Sequence, residues 1–594
     1  MSLTKKLKAL IKNEPDEYLA IKDVVLMYTK FFHETRLPHY FDENPIDNLG
    51  FETRSKVLDL LKSEKKSNAL LPGKIYEALL LPRLKKELGQ VFTPVDIIEH
   101  MITTTDIIEW YENNPYLKIL DPACGTGEFL LKVFQVIHQH MMEKSAYYES
   151  RLQINKSQFK NHLIENNLFG YEKDYFTSKL AIMNISILSN SCKTPFIFNE
   201  DYLFHNKDIK YDIIIGNPPY IGHKNLEQSY KTKLKEHFQV FNDKSDIYYC
   251  FFEKGYFDLT EKGVLSYITS RYFIEANYSE KLRAFISKHY TIKHITDYAG
   301  YNPFSNANVS PLIITLIKEK NDSLATIKRQ GMDQSYKIKQ SVFHQRTWQL
   351  ANENVSGLIN KIKQQASFRI ADIYEFNQGI ITGLDKAFIV NDKIIETYGL
   401  ETELLKKWIK GSLLKSKLTS ESYNQYKLIY TNGYPIEKYP NIYKYLSEYK
   451  DRLGRRRECI RGYREWYHLQ WPRDEQLFER EKIIFPYKSK GNYFTYDDAN
   501  LFFSADIYMM WSISNTHDCT NDLNYLNSDI FEFLIKTATK RIGVGLYEYY
   551  PYNLKFLPYF HIPKSLTKHQ ANKVLADKLE LTNCELKLIQ HTIK

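Results

Sequence analysis

A chain of 594 residues, 43% hydrophobic and 26% charged, has room for two to four domains with cores of their own, as in an ordinary soluble protein. Its formal net charge of +10 favours a polyanionic partner, and its six cysteines (Cys124, Cys192, Cys250, Cys459, Cys519, Cys584) show no paired spacing, which argues against a zinc ribbon, any other metal site or a disulfide framework. No signal-like apolar core follows Met1-Ser2-Leu3 and no run approaches membrane-spanning length, so a cytoplasmic protein without a membrane partner is expected. Aromatic residues reach 14%, with 46 tyrosines, which suits stacking on bases and equally suits an AT-rich codon bias.

Residues 1–88 place Leu, Ile and Val at helical spacing among Lys and Glu and predict an N-terminal helical region. An acidic pair followed by Glu-x-Lys, the pattern of a nuclease, finds no convincing copy there, so a fused restriction activity at this end is disfavoured. Gly89-Gln90-Val91-Phe92-Thr93-Pro94 comes next. Residues 117–130, Leu-Lys-Ile-Leu-Asp-Pro-Ala-Cys-Gly-Thr-Gly-Glu-Phe-Leu, give an apolar strand, a tight glycine turn and a helix start. The turn lacks the Gly-Lys-Ser/Thr of a phosphate loop, and Leu130 stands where a dinucleotide fingerprint has its third glycine. A nucleoside cofactor without a pyrophosphate fits, and S-adenosylmethionine is such a cofactor. Asp121 is available to its ammonium, while Gly125 and Gly127, beside Ala123, let the backbone approach closely. A second strand ends at Glu172, which can accept from ribose hydroxyls, and a third ends at Asp201-Tyr202, where the acid can accept from an adenine amine. Taken singly, each acid reads equally well as a helix cap or a solvated charge.

The run Ile213-Ile214-Ile215-Gly216 predicts a buried parallel strand, and at its carboxyl end stand Asn217-Pro218-Pro219-Tyr220. An exocyclic amine on a base is a poor nucleophile because its lone pair is delocalised into the ring, so positioning has to replace basicity. The Asn217 side-chain oxygen and the Pro218 carbonyl can each accept one N–H and turn the lone pair toward an incoming methyl. Pro218 and Pro219 stiffen the loop. Tyr220 can stack on the ring, a contact worth roughly 1–3 kcal/mol. The plainer alternative is an ordinary Asn-Pro turn.

Taken together, Gly89–Pro94, Asp121–Leu130, the Glu172 and Asp201 strand ends and Asn217–Tyr220 resemble the ordered motifs of amino-group DNA adenine methyltransferases of the gamma arrangement. Thr93 and Asn217 then join Asp121, Ala123, Gly125, Gly127, Glu172, Asp201 and Tyr202 as implied cofactor neighbours. Lys244-Ser245-Asp246-Ile247-Tyr248, Gly263–Ser270 and Leu312–Ile317 continue the match, and the resemblance implies that Phe304 stacks on an extruded adenine opposite Tyr220; a core phenylalanine is the alternative. The glycine-punctuated segment Asn377–Ile389 resembles the opening of a TaqI-like specificity domain. With Arg456-Arg457-Glu458-Cys459, Trp466-Tyr467 and Leu469-Gln470-Trp471 added, residues 85–560 look similar to the CamA-type orphan adenine methyltransferases of Firmicutes.

Duplex DNA is the expected partner. His223 and Lys224 follow the catalytic tetrapeptide, with further lysines up to Lys244, and are placed to hold phosphates beside an extruded base. Seven arginines against three acids lie between Asp451 and Arg473, interleaved with Tyr463, Trp466, Tyr467 and Trp471. From this stretch Arg455, Arg456, Arg457, Arg461 and Arg464 are candidate DNA contacts, and Tyr487, Lys488 and Lys540-Arg541 add basic loop material. A salt-bridged helix face is the competing reading. The expected architecture is an α/β, Rossmann-like class I S-adenosylmethionine-dependent methyltransferase sheet with helices on both faces, followed by an α+β target-recognition domain. Its boundaries are 1–88 helical, 89–320 catalytic, 321–365 connection, 366–562 recognition and 563–594 a C-terminal helix. The expected enzyme is a monomeric, site-specific N6-adenine DNA methyltransferase acting on a short asymmetric site, without an obligatory nuclease subunit. A modification component of a restriction–modification system, an RNA methylase, a protein-glutamine methylase and a non-catalytic DNA-binding module are the alternatives.

Overall fold

The computed structural model describes all residues except 1, 13, 34–47, 64–69, 82, 85–91, 192, 243, 299–302, 305–309, 331–333, 346, 349, 416–424, 515–516, 540, 543–544, 564–565 and 594. Gly89-Gln90-Val91, Cys192 and Lys540, singled out in the sequence, lie outside the described residues. The chain forms two compact units, Met1–Leu350 and Ala351–Lys594.

The first unit is built on a nine-stranded sheet: β1 (Ile119–Asp121), β2 (Leu168–Tyr171), β3 (Phe196–Phe198), β4 (Tyr211–Gly216), β5 (Leu259–Ser270), β6 (Thr291–Asp297), β7 (Pro311–Ile317), β8 (Ala325–Arg329) and β9 (Tyr336–Ile338). Their order is β3-β2-β1-β4-β5-β7-β6-β8-β9. The strands from β3 to β5 are parallel, and β7 runs antiparallel between β5 and β6. Period-2 geometry explains why β4 reads as one apolar run. Ile213 and Ile215 enter the core beneath helices Val95–Thr104 and Glu128–Glu143, while Ile214 enters the opposite core with helix Tyr248–Asp258. Burial of each isoleucine contributes about 1.5–3 kcal/mol. With helices on both faces and β1, β2 and β4 ending side by side, the sheet is of the class I methyltransferase kind.

The N-terminal helices Leu3–Ile11, Glu17–His33, Phe51–Lys62 and Pro72–Leu79 close a third core against Phe176, Leu180 and Met183 of helix Tyr175–Ser189. That contact reaches the cofactor turn. A Cβ on Gly73 would stand 2.2 Å from Asn184 Nδ2 and 2.8 Å from Thr126 Cβ, and Asn184 bridges the Gly73 N–H and the Thr126 carbonyl at 3.1 and 2.8 Å.

The stretch 321–365, expected as a connection, instead contains β8 and β9, which extend the sheet beyond β6. Five and three residues long with alternating polar positions, these short strands carry too little apolar signal to stand out. The expected single C-terminal helix is two helices, Lys568–Lys578 and Asn583–Ile593, separated by a turn with Glu580 at φ 49°. Both pack into the second unit's core through Ala571, Leu575, Leu579 and Ile589.

In the second unit, Tyr374–Gln378, Ile507–Ser512, Lys482–Pro486 and Thr495–Asp497 form an antiparallel four-stranded sheet in that order. A second four-stranded sheet is ordered Ile389–Val390, Tyr426–Ile429, Leu405–Ile409, Phe502–Phe503. The first sheet buries an ion pair, Lys482 Nζ to Asp497 at 2.6 Å, both side chains fully enclosed. Burial pushes the lysine down and the aspartate up in pKa, each against the pull of its partner.

Candidate functional site

The site lies where β1, β2 and β4 end. Asp121, only 1% exposed, accepts the Ala123 N–H at 3.1 Å, and the chain turns through Gly125 (φ 53°) and Gly127 (φ 88°) into helix Glu128–Glu143. Both glycines occupy the left-handed region that a Cβ disfavours. A Cβ on Gly125 would meet nothing within 4 Å, so the turn's backbone borders open space. The Gly125 N–H donates to Glu172 at 3.0 Å and the Asp174 N–H donates to the same carboxylate at 2.8 Å, which ties the end of β2 to the turn after β1. Gly216 closes the group from β4: a Cβ there would stand 2.6 Å from Asp121 Oδ1.

Two carboxylates thus share a desolvated cleft with one or two backbone N–H donors each. Burial, opposed by the Ala123 N–H and reinforced by Glu172, lifts Asp121 to about 8; burial lifts Glu172 to about 7. No side-chain cation pairs with either among the described residues. A ligand bringing an ammonium and hydroxyl donors would restore both carboxylates, and the open border at Gly125 leaves room for it; the residues fit S-adenosylmethionine.

Asn217 follows at the end of β4. Its Nδ2 donates to Thr93 Oγ1 at 3.1 Å, which orients the amide, and Thr93 is itself buried. Pro218 is buried and Pro219 half-buried. Tyr220 donates its hydroxyl to the Ile268 carbonyl at 3.0 Å and meets Tyr248 edge-on, ring centroids 6.0 Å apart. Behind the tetrapeptide, Gly222 bridges Asp246, the Ile247 N–H donates to Ile221 O at 3.2 Å and the His223 N–H donates to Ser245 O at 3.2 Å. This clasp fixes the loop on the start of helix Tyr248–Asp258. Asp246 escaped the sequence reading as a site residue; it is mostly enclosed beside Tyr220, and desolvation raises it to about 7. Its only sequence signal is an acid at the head of an aromatic helix.

Three expected positions differ. Tyr202 is a core ring stacked on Phe251 at 5.5 Å, so its side chain is withdrawn from the cofactor cleft. Asp201 caps the turn Tyr202–Phe204 through the Leu203 N–H and receives Tyr230 Oη at 2.8 Å and Lys173 Nζ at 3.2 Å, donors that compete with any adenine amine. Phe304 is 5% exposed within the core that holds Ile213 and Ile215, whereas Tyr220 packs against the core on the other face of the sheet. The ring is therefore a core phenylalanine here.

Of the expected DNA contacts, Lys224, Arg455, Arg457, Arg461 and Lys488 are exposed, and His223 and Arg464 partly so. Arg456 is not a surface cation: it gives Nε to Leu453 O (2.9 Å), Nη1 to Thr382 O (3.0 Å) and Nη2 to Trp466 O and His468 O (2.7 and 2.8 Å). Four carbonyls take four of its five N–H groups and make it an internal brace. Tyr487 donates to Glu548 at 3.0 Å and lies under Lys488.

The fold and these strand ends define a class I methyltransferase unit. Residues 95–304 match the family model described as Eco57I restriction-modification methylase, and residues 400–559 match the TaqI-like C-terminal specificity domain. The chain carries a restriction–modification methylase domain followed by a TaqI-like specificity domain: it is a DNA methyltransferase using S-adenosylmethionine. It is similar to the Type II methyltransferase M.BstVI of Geobacillus stearothermophilus, 20% identical with 83% of this chain and 93% of the relative covered. M.HindII of Haemophilus influenzae is 26% identical over 75% of this chain and 84% of its own length. Among solved structures, the Type IIL restriction-modification enzyme MmeI in complex with DNA shares the fold, with a TM-score of 0.62, 13% identity, and 100% and 91% of the two chains covered.

Proposed function

We propose that the protein transfers a methyl group to the N6 amine of adenine within a short asymmetric site in duplex DNA. The observation that carries this reading is Asn217-Pro218 at the end of β4, with the amide of Asn217 oriented by Thr93 and the loop clasped to residues 245–247. Asn217 Oδ1 and the Pro218 carbonyl accept the two N–H groups of the target amine, and Tyr220 supports the ring. Asp121 and Glu172, with the turn at Gly125 and Gly127, hold S-adenosylmethionine, which supplies an electrophilic methyl when bound. For the amine to reach the loop, the target nucleotide rotates out of the helix at a cost of a few kcal/mol. No strong base is required, because the amine loses its surplus proton after transfer.

Catalytic and specificity domains on one chain favour an enzyme that methylates without an obligatory nuclease subunit, as a monomer or an orphan enzyme would. The second reading is a modification component of a restriction–modification system. Relatives named Type II methyltransferases favour it, as does the similarity to the Escherichia coli "Type II restriction enzyme and methyltransferase RM.Eco57I", 23% identical over 75% of this chain and 55% of that protein. The test incubates purified protein with S-adenosylmethionine and unmethylated bacterial DNA and maps modified bases by single-molecule sequencing. N6-methyladenine confined to one motif is the expected result; a modified cytosine, or transfer only to RNA or protein, overturns the adenine reading.

A further inference from the structure

The specificity unit carries an apolar tip among exposed arginines that the site above does not use. Ile460 is 72% exposed and Tyr463 71% exposed, on either side of a turn at Gly462 (φ 71°). Single exposed apolar residues are common on protein surfaces; what sets these apart is how rigidly the loop is held. Arg456 braces it from within through four carbonyls, and Gly383 (φ 80°) makes room for that guanidinium, since a Cβ there would stand 2.8 Å from Arg456 Cδ. The Glu458 carbonyl accepts the N–H groups of Tyr463 and Arg464 at 2.9 and 3.3 Å, and its carboxylate takes Gln470 Nε2 at 2.8 Å. Glu458 is thus spent inward, while Glu465, beyond the tip, is exposed. Arg455, Arg457 and Arg461 are exposed and enter no ion pair among the described residues.

A stiff loop that presents an aliphatic and an aromatic side chain between outward cations suits a stack of apolar rings bordered by phosphates. We propose that Ile460 and Tyr463 form a wedge that enters between base pairs of the duplex, while Arg455, Arg457 and Arg461 hold the flanking phosphates. This rests on the reading above that the substrate is duplex DNA. Preorganisation lowers the ordering cost, so the tip's apolar area is available to unstack a base step.

The experiment uses the full chain and a duplex containing the mapped methylation motif, together with a set of duplexes in which each base pair in turn is replaced by an abasic position. Ile460→Ala and Tyr463→Ala are compared with wild type in affinity and methylation rate, with thermal melting as the check on folding. Each variant is expected to bind the intact duplex roughly ten- to hundred-fold more weakly. One abasic position, unstacked in advance, is expected to restore wild-type affinity, and the salt dependence is expected to stay unchanged because no phosphate contact is lost. Wild-type binding by both variants, or a loss equal across the whole abasic set, overturns the wedge. Wild type that methylates no duplex brings down the substrate reading and the wedge with it; wild type that methylates while the variants match it brings down the wedge alone.

Discussion

In the proposed reaction, Asn217 touches the amine and Thr93, through its hydrogen bond to the amide, aims it. Asn217→Ala is expected to slow transfer by roughly 10²–10³-fold while cofactor affinity, read by calorimetry, changes little. Thr93→Val removes only the hydrogen bond that orients the amide, so a five- to tenfold loss of about the size of one neutral hydrogen bond is expected in single-turnover rates. The two carboxylates predict a pH signature. Asp121 and Glu172 have folded pKa values raised to about 8 and 7, so ionising them costs folded stability. Their favourable contribution is complete below the unfolded carboxylate range and is lost as pH rises through 7 to 8. A cationic ligand needs the ionised forms, so S-adenosylmethionine affinity should climb across that window. Thermal melting with and without cofactor at pH 6 and pH 7.5, where the ligand's ammonium is still charged, checks both signs: the ligand-induced rise in Tm should be larger at pH 7.5, and an equal rise would remove both carboxylates from the cofactor site. Asp121, Glu172 and Asn217 were legible because each ends an apolar strand. Tyr202 was not, since the strand-end pattern locates a backbone and leaves open on which side of the sheet the ring lies.

Among elements, the braced stretch 451–473 shows why a charge run in a sequence does not reveal its parts. Seven arginines look alike on paper, but converging carbonyls of Leu453, Thr382, Trp466 and His468 draw Arg456 inward, and Arg473 also turns inward, onto Gly379 O and Gln378 Oε1 at 3.2 Å. That convergence depends on Gly379 and Gly383. A Cβ on Gly379 would lie 2.1 Å from Ser504 O, and the neighbouring Ile380 N–H donates to Phe503 O at 2.8 Å. The glycine punctuation of 377–389 was visible in the sequence; the partners that require it lie about 75 and 125 residues downstream, beyond any local pattern. Arg456→Ala strips four partly buried carbonyls of a donor and is expected to cost about 3 kcal/mol. Arg457→Ala, at an exposed position, should stay within about 0.5 kcal/mol in denaturant unfolding. Equal stability losses would mean that the brace carries no load. The short strands β8 and β9 were missed for a related reason: their evidence is the pairing of β8 with β6 and of β9 with β8, which a five-residue string cannot display.

For the whole molecule, the net charge of +10 is small for 594 residues, so DNA affinity should come from local clusters and not from a general cationic field. Counterion release then gives a test that separates the arginines by role. Binding to the mapped duplex should weaken linearly in log Kd against log salt, with a slope set by the number of phosphates neutralised. Arg457→Ala and Arg461→Ala should each reduce that slope by about one and weaken specific and non-specific duplexes alike. Arg456→Ala should act differently. Its guanidinium reaches carbonyls and not phosphates, so any loss of affinity would follow the disordering of the loop that carries Arg457 and Arg461, and it would grow with temperature as that loop melts. Fluorescence anisotropy from 50 to 300 mM salt at two temperatures distinguishes the cases. A full unit of slope lost in Arg456→Ala at low temperature, with stability unchanged, would move that residue to the DNA surface and undo the separation of brace from contact.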